Sequence, residues 1–208
     1  YVGPQDATPI ILNGLKKLEY RGYDSAGLAV VHAGALEIRK DAGKLSQLVE
    51  LVQRSPIGGA PGVGHTRWAT HGAPSARNAH PHVGKTGRVV VVHNGIVENF
   101  LELKDELTAE GVRFQSETDT ESIVHLVEHY LAAGSDFEEA TRRALRQIQG
   151  ANVVVLISAD EPDKIVTARI GNAGGVVIGL GTGENFVASD TPAIMEHTRR
   201  VVFLESRQ

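Results

Sequence analysis

Apolar residues first recur at helical spacing, with Ile11, Leu15 and Leu18 on one stripe, Thr8 where a cap belongs and Pro9 suited to a first turn. The pattern predicts a helix ending near Glu19. Two β-rich runs follow over 26–31 and 36–40, and the His32-Ala33-Gly34-Ala35 connection, too short for a parallel crossover, predicts a hairpin. A second helix is expected over 45–52. Positions 55–87 are rich in Gly, Pro, His, Thr and Asn with almost no apolar periodicity, which predicts a long irregular loop of the kind that carries chemistry. The run Val89-Val90-Val91-Val92 predicts a buried strand over 88–93 closed by an Asn94-Gly95 turn. Three helices should come next. One covers 99–109 with Leu101, Leu103 and Leu107 facing inward and Gly111 ending it; one runs from a Thr118/Glu121 capping box through Ile123, Leu126, Val127 and Tyr130 to Gly134; the last covers 137–148. Beyond Gly150 the period becomes that of strands, at 152–157, 164–170, 175–178, 186–188 and 201–204, an antiparallel meander. Helices and strands in blocks predict an α+β layered fold, in one domain spanning 1–208, and not a doubly wound parallel sheet.

Composition narrows the function. The chain has 208 residues, 41% of them hydrophobic, enough to bury a sizeable core. Its 21 basic and 25 acidic residues give a formal charge of −4, the wrong sign for a binder that neutralises phosphates, so no nucleic-acid partner is expected. No stretch approaches the ~20 apolar residues of a membrane helix, and Tyr1 to Asp6 lacks the features of a signal peptide. A cytoplasmic protein without a membrane partner is expected. With no cysteine, these residues can form no disulfide or thiolate metal site and hold no cysteine nucleophile.

Several motifs fail on their context. Gly59-Ala60-Pro61-Gly62-Val63-Gly64-His65-Thr66 approaches a phosphate-cradling loop, but His65 stands where a fixed cation is needed and the sequence after it starts no helix. Gly179-Leu180-Gly181-Thr182-Gly183 leads into a strand where a dinucleotide fold requires a helix, so it predicts a hairpin turn. His125-Leu126-Val127-Glu128-His129 matches an inverted zinc-peptidase pattern, yet its histidines lie opposite the apolar stripe, which predicts a solvated face, and no third ligand is singled out. His80, His82 and His93 read as hydrogen-bonded imidazoles before they read as ligands. The densest polar constellation is Gly64-His65-Thr66-Arg67-Trp68-Ala69-Thr70-His71-Gly72, with His93-Asn94-Gly95 and Ser116-Glu117-Thr118-Asp119 after it. Arg67 can grip a carboxylate by two hydrogen bonds, Asp119 can pair with an ammonium, and Asn94 with Gly95 offers the two donor types of an oxyanion hole. Taken singly they also read as a surface charge, a first-turn acid and a type I′ turn.

Together these segments, with Leu18-Glu19-Tyr20-Arg21-Gly22-Tyr23-Asp24-Ser25-Ala26-Gly27, Asn78-Ala79-His80-Pro81-His82, Val92-His93-Asn94-Gly95-Ile96-Val97-Glu98-Asn99 and Gly183-Glu184-Asn185-Phe186-Val187-Ala188-Ser189-Asp190, resemble the N-terminal-nucleophile glutaminase domain of class II glutamine amidotransferases. The resemblance runs from end to end, and its wording is that of the sugar-phosphate-aminating branch. It implies a four-layer αββα sandwich of antiparallel sheets that hydrolyses L-glutamine to glutamate and ammonia without metal or cofactor. In that family Arg67 would bind the substrate α-carboxylate, with Thr70 and His71 in the same loop, and Asp119 would bind the α-amino group. Trp68 would belong to a loop closing over glutamine, Asn94 and Gly95 would form the oxyanion hole, and Arg21 would stand on the rim. The implied partners are C-terminal sugar-isomerase domains of the same chain, which convert fructose 6-phosphate to glucosamine 6-phosphate, in a homodimer of the full-length enzyme.

The family nucleophile is an N-terminal cysteine, in a segment Cys-Gly-Ile-Val-Gly that would stand just before Tyr1. Tyr1 cannot replace it, because a phenol with a pKa of about 10 sits at the far end of a rigid ring from its own amine. The expectation is a longer protein whose nucleophile lies upstream. A zinc peptidase using His125, Glu128 and His129, or an amino-acid-binding module without catalysis, stay as alternatives.

Overall fold

The computed structural model describes residues 1–68 and 70–207; Ala69, inside the Arg67-to-His71 motif, and Gln208 lie outside the described residues. The continuous valine run explains the architecture. Val89 and Val91 point into one apolar cluster and Val90 and Val92 into another, so the strand that carries them, β5 (Val89–Gly95), is covered on both faces. β5 lies in a sheet of order β4-β5-β6-β7, with β4 (His82–Val83), β6 (Asn152–Ser158) and β7 (Val166–Ile170) all antiparallel to their neighbours. On its outer face lie α3 (Phe100–Ala109), α4 (Thr120–Ala132) and α5 (Phe137–Leu145), whose Leu103, Leu107, Ile123, Val127 and Phe137 close the cluster around Val89, Val91, Val154 and Leu156. The inner face meets a second sheet.

That second sheet has the order β2-β1-β3, from β1 (Ser25–His32), β2 (Ala35–Ala42) and β3 (Gly62–Arg67). Ala29, Val31 and Val63 pack between the sheets, while Leu28 and Val30 turn outward to α1 (Ala7–Leu18) and α2 (Leu45–Arg54). The result is helices, sheet, sheet, helices. A third antiparallel set, β10-β8-β9 over Val201–Phe203, Val177–Leu180 and Asn185–Ala188, continues this second sheet through the first two residues. Tyr1 exchanges both backbone hydrogen bonds with Gly62 at 2.9 Å, and Val2 exchanges both with Asn185 at 3.0 and 2.8 Å. The Tyr1 nitrogen donates to Gly62 as a ladder amide does. No helix among the described residues is long and apolar enough to cross a membrane.

Several local expectations need correcting. The cap of α1 is Asp6, whose carboxylate accepts the Thr8 N–H at 3.0 Å; Thr8 is already inside the helix and bonds Ile57 O. Leu101 is 63% exposed, because two residues along a helix from Leu103 means nearly the opposite side. The expected loop at 55–87 contains β3 and β4. β3 escaped detection because glycines hold two of the positions that face α1: a Cβ on Gly62 would lie 2.7 Å from Ala7 Cβ, and one on Gly64 would lie 2.3 Å from Ile11 Cγ2. Helix α1 sits so close that only glycine fits, which erases the apolar signal a strand otherwise shows.

Candidate active site

The two sheets bring the ends of β3 and β5 together. β3 closes on Arg67, which is buried: Nη2 donates to the carbonyls of Gly72, at 3.1 Å, and His71, tying the loop beneath it. Nη1 lies 4.0 Å from Asp24 Oδ1 and has no hydrogen-bond partner among the described residues. Burial lowers the Arg67 pKa, and the carboxylates of Asp24 and Asp119 pull the other way. A buried guanidinium N–H without an acceptor is costly, and an arriving carboxylate relieves it.

β5 ends on Asn94 and Gly95. These are ladder residues paired with Val153 and Asn152, and not the expected turn, because the β5–β6 register continues one full step past His93. Gly95 is needed where it is: its φ is +131°, and a Cβ would meet Ala151 O at 2.2 Å. Asn94 Oδ1 lies 2.8 Å from His65 Nε2. Behind this pair stand His80, His82 and His93, each with hydrogen-bond partners, and burial holds all these imidazoles below their ordinary pKa, His65 at about 4 and His82 at about 3.

Asp119 begins α4, but its backbone is helical and its side chain caps nothing. Oδ2 instead accepts the Val97 N–H at 2.8 Å, leaving Oδ1 4.0 Å from His71 Nδ1. The expected Thr118/Glu121 capping box is absent, since Glu121 reaches past Thr118 to the N–H groups of Gln115 and Ser116 at 2.7 and 2.6 Å and to His125 at 3.2 Å. Burial alone would raise the Glu121 pKa; the bonds from His125, Gln115 and Ser116 win and hold it at about 2. A carboxylate depressed from 4.5 to about 2 contributes stability that is complete above 4.5 and lost as pH falls toward 2, on the order of 3 kcal/mol at neutrality. In urea unfolding, Glu121→Gln should therefore cost about that much at pH 7 and roughly half at pH 3.

The zinc-peptidase pattern disperses. His125 is buried against Glu121, Glu128 is buried and receives the N–H of Thr86 at 3.2 Å together with its hydroxyl, and His129 is exposed beside Glu110 at 2.9 Å. The expected solvated face is thus half wrong: His125 is buried with its ring 5.0 Å from that of Phe114, and Glu128 is buried under the turn that carries Thr86. Among the described residues, no three His, Asp or Glu side chains are grouped to hold a metal ion.

Arg21, Arg67, Trp68, Thr70, Asn94, Gly95 and Asp119 line one cavity of about 360 Å³, and His71 stands against Asp119 with its ring on Phe100 at 5.3 Å. Arg21 donates to Ser189 O at 3.3 Å on the rim, and Trp68 is 62% exposed with its ring 5.5 Å from that of Tyr23. Residue-by-residue reasoning missed Asp24 as the neighbour of Arg67, and only the family wording around Tyr23-Asp24 pointed to that stretch.

A family model described as a glutamine amidotransferase domain matches residues 65–195, the stretch that holds Arg67, Asn94, Gly95 and Asp119. The chain belongs to this family. The glutamine amidotransferase domain is 53% identical over 204 residues to a glutamine–fructose-6-phosphate aminotransferase (isomerizing) of Thermus thermophilus, and 50% identical over 208 residues to one of Caldanaerobacter subterraneus. These alignments cover 98% and 100% of this chain but 33% and 34% of the relatives, so the chain spans about a third of their length. Among solved structures, the amidotransferase domain resembles the glutamine phosphoribosylpyrophosphate amidotransferase of B. subtilis at a TM-score of 0.79 and 25% identity, over 98% of this chain and 43% of that one. An allosteric regulatory enzyme of purine biosynthesis gives 0.81 at the same identity. The N-terminal-nucleophile sandwich, α+β with antiparallel sheets, is therefore the fold of this domain.

Proposed function

We propose that the domain hydrolyses the side-chain amide of L-glutamine, Arg67 holding the α-carboxylate, Asp119 the α-ammonium, and Asn94 with Gly95 the oxyanion. The observation that carries this is a buried guanidinium Nη1 with no hydrogen-bond partner among the described residues, in the same cavity as the buried Asp119 carboxylate, the opposite charges that a free amino acid bridges at once. Thr70 and Trp68 border the same space. A thiolate adds to the amide carbon, giving a tetrahedral oxyanion; the proton taken by the nucleophile's own α-amine goes to the departing ammonia, and water then opens the thioester through a second oxyanion to give glutamate.

The thiolate in this reading belongs to an N-terminal cysteine ahead of Tyr1. The edges of β3 and β9 that flank Tyr1 and Val2 support it, since an extended segment can continue between them. Carrying the antiparallel register of Tyr1 with Gly62 upstream advances one place along β3 per residue, so the cysteine of a preceding Cys-Gly-Ile-Val-Gly falls opposite Arg67. In this reading the ammonia passes to a sugar-isomerase part of a longer cytoplasmic chain that makes glucosamine 6-phosphate from fructose 6-phosphate, which relatives named glutamine–fructose-6-phosphate aminotransferase (isomerizing) support as far as the sugar phosphate and the amino transfer.

The test is glutamine turnover by the chain preceded by Cys-Gly-Ile-Val-Gly. Release of ammonia that is indifferent to EDTA, and absent when the cysteine is alanine, is the expected result. Turnover abolished by the chelator would favour the zinc peptidase instead, and glutamine-induced thermal stabilisation with no turnover would favour a binding module.

A further inference from the structure

The polar wall behind Asn94 has a direction of donation that can be followed atom by atom. It starts from a donor that cannot be reversed, the backbone N–H of His93, 3.3 Å from His80 Nδ1. His80 accepts there, so its proton is on Nε2 and goes to Thr120 Oγ1 at 3.3 Å. The Thr120 hydroxyl donates to His93 Nδ1 at 2.9 Å, and His93 Nε2–H donates to Asn152 Oδ1 at 2.9 Å. Asn152 Nδ2 ends the chain on Gln149 O at 3.1 Å. His65 stacks on His80, ring centroids 4.4 Å apart and planes 25° from parallel, but takes no part in this relay.

Two arrangements satisfy the His65–Asn94 contact. With its proton on Nε2, His65 donates to Asn94 Oδ1, and the amide NH2 is left for the cavity. With the proton on Nδ1, the amide must reverse, so that Asn94 donates to Nε2 and its carbonyl oxygen faces the cavity. His65 Nδ1 is buried with no partner among the described residues. The second arrangement strands an N–H donor in that dry place, whereas the first strands only a lone pair, which costs less. The amide orientation is therefore decided on the far side of the imidazole, away from the substrate.

We propose that His65 is a positioning residue whose Nε2–H tautomer, imposed by the dry surroundings of Nδ1, turns the Asn94 carboxamide so that its NH2 serves the oxyanion. The proposal rests on the reading of Asn94 as an oxyanion donor. A protonated ring would place a second N–H in the same dry site, and burial keeps His65 neutral down to about pH 4. The reversed amide would present a carbonyl oxygen to a developing oxyanion, so the loss falls on the transition state and spares ground-state binding at Arg67 and Asp119.

The test compares His65→Phe, His65→Gln, Asn94→Ala and the His65→Phe/Asn94→Ala double variant in the full-length chain with its N-terminal cysteine. His65→Phe should lower kcat roughly 10- to 100-fold with KM for glutamine within about twofold, and His65→Gln, which keeps an N–H for Oδ1, should recover most of the loss. Once Asn94 is alanine, adding His65→Phe should change kcat less than about twofold, since nothing is left to orient. Losses that multiply in the double variant, or His65→Gln no better than His65→Phe, would overturn the proposal. An unchanged kcat in Asn94→Ala would instead overturn the oxyanion reading. If His65→Phe does not fold, the imidazole nitrogen spectrum of the unaltered chain decides, the Nε2–H tautomer of His65 supporting the proposal and the Nδ1–H tautomer refuting it.

Discussion

Replacing Arg67 with alanine should lower kcat/KM for glutamine on the order of 10²–10³-fold, most of it as a raised KM. Among the described residues, its guanidinium is the one charged donor that the cavity holds both buried and short of a hydrogen bond, at Nη1, so the substrate carboxylate gains there what water no longer supplies. Truncating one partner of a buried, hydrogen-bonded charge pair costs about 2–5 kcal/mol, roughly 30- to 5,000-fold, and the expected loss lies in the middle of that span. Arg67→Lys should fall between the two, because an ammonium keeps the charge but cannot bind the His71 and Gly72 carbonyls while offering a second N–H to the ligand. His129→Ala is the control: the residue is exposed, its partner is Glu110, and turnover should stay within about twofold. Steady-state glutaminase kinetics, with calorimetric glutamine binding, check both. A large effect at His129 with none at Arg67 would move the chemistry to helix α4 and end the glutaminase reading.

How far the sequence alone reaches depends on which interaction sets each feature. Elements governed by their own side-chain period were legible: the β1–β2 hairpin, the valine strand, the helices and the strands after Gly150 all lie within a few residues of their expected places, although those last strands are divided between two sheets and do not form the one expected meander. Elements governed by a close neighbour were not. β3 is a strand because β1 pairs with it and α1 presses on its glycines, and neither fact is visible at 62–67. The site shows the same division. The types and order of Arg67, Asn94, Gly95 and Asp119 suggested an amino-acid substrate, because the charges that hold one are few and specific. That Asp24 flanks Arg67 and that His65 backs Asn94 depend on approach across tens of residues, and that Glu121 serves a loop and not a helix end depends on how the chain turns five and six residues before it. Local periodicity carries no such information, so Asn94-Gly95 looked like a turn while the ladder to β6 kept it a strand.

Gly95→Ala should be the most destructive single change at the site, lowering the melting temperature by about 6–12 °C and removing most turnover. Two costs combine. The backbone at φ +131° is one that an L side chain rarely adopts, worth about 1–3 kcal/mol, and the new methyl would stand 2.2 Å from the Ala151 carbonyl. That carbonyl belongs to the residue preceding β6, whose ladder to β5 is fixed by seven paired positions, so it cannot retreat without pulling Asn152 away from His93. Gly111→Ala separates the two costs. Gly111 also has a positive φ, +86°, but nothing lies within 4 Å of its missing Cβ, so only the conformational penalty of about 1 kcal/mol applies and turnover should be unaffected. Equal melting temperatures for the two variants would mean that the Ala151 carbonyl yields easily, and a site whose oxyanion donors sit on so soft a strand end could not owe its rate to their preorganisation.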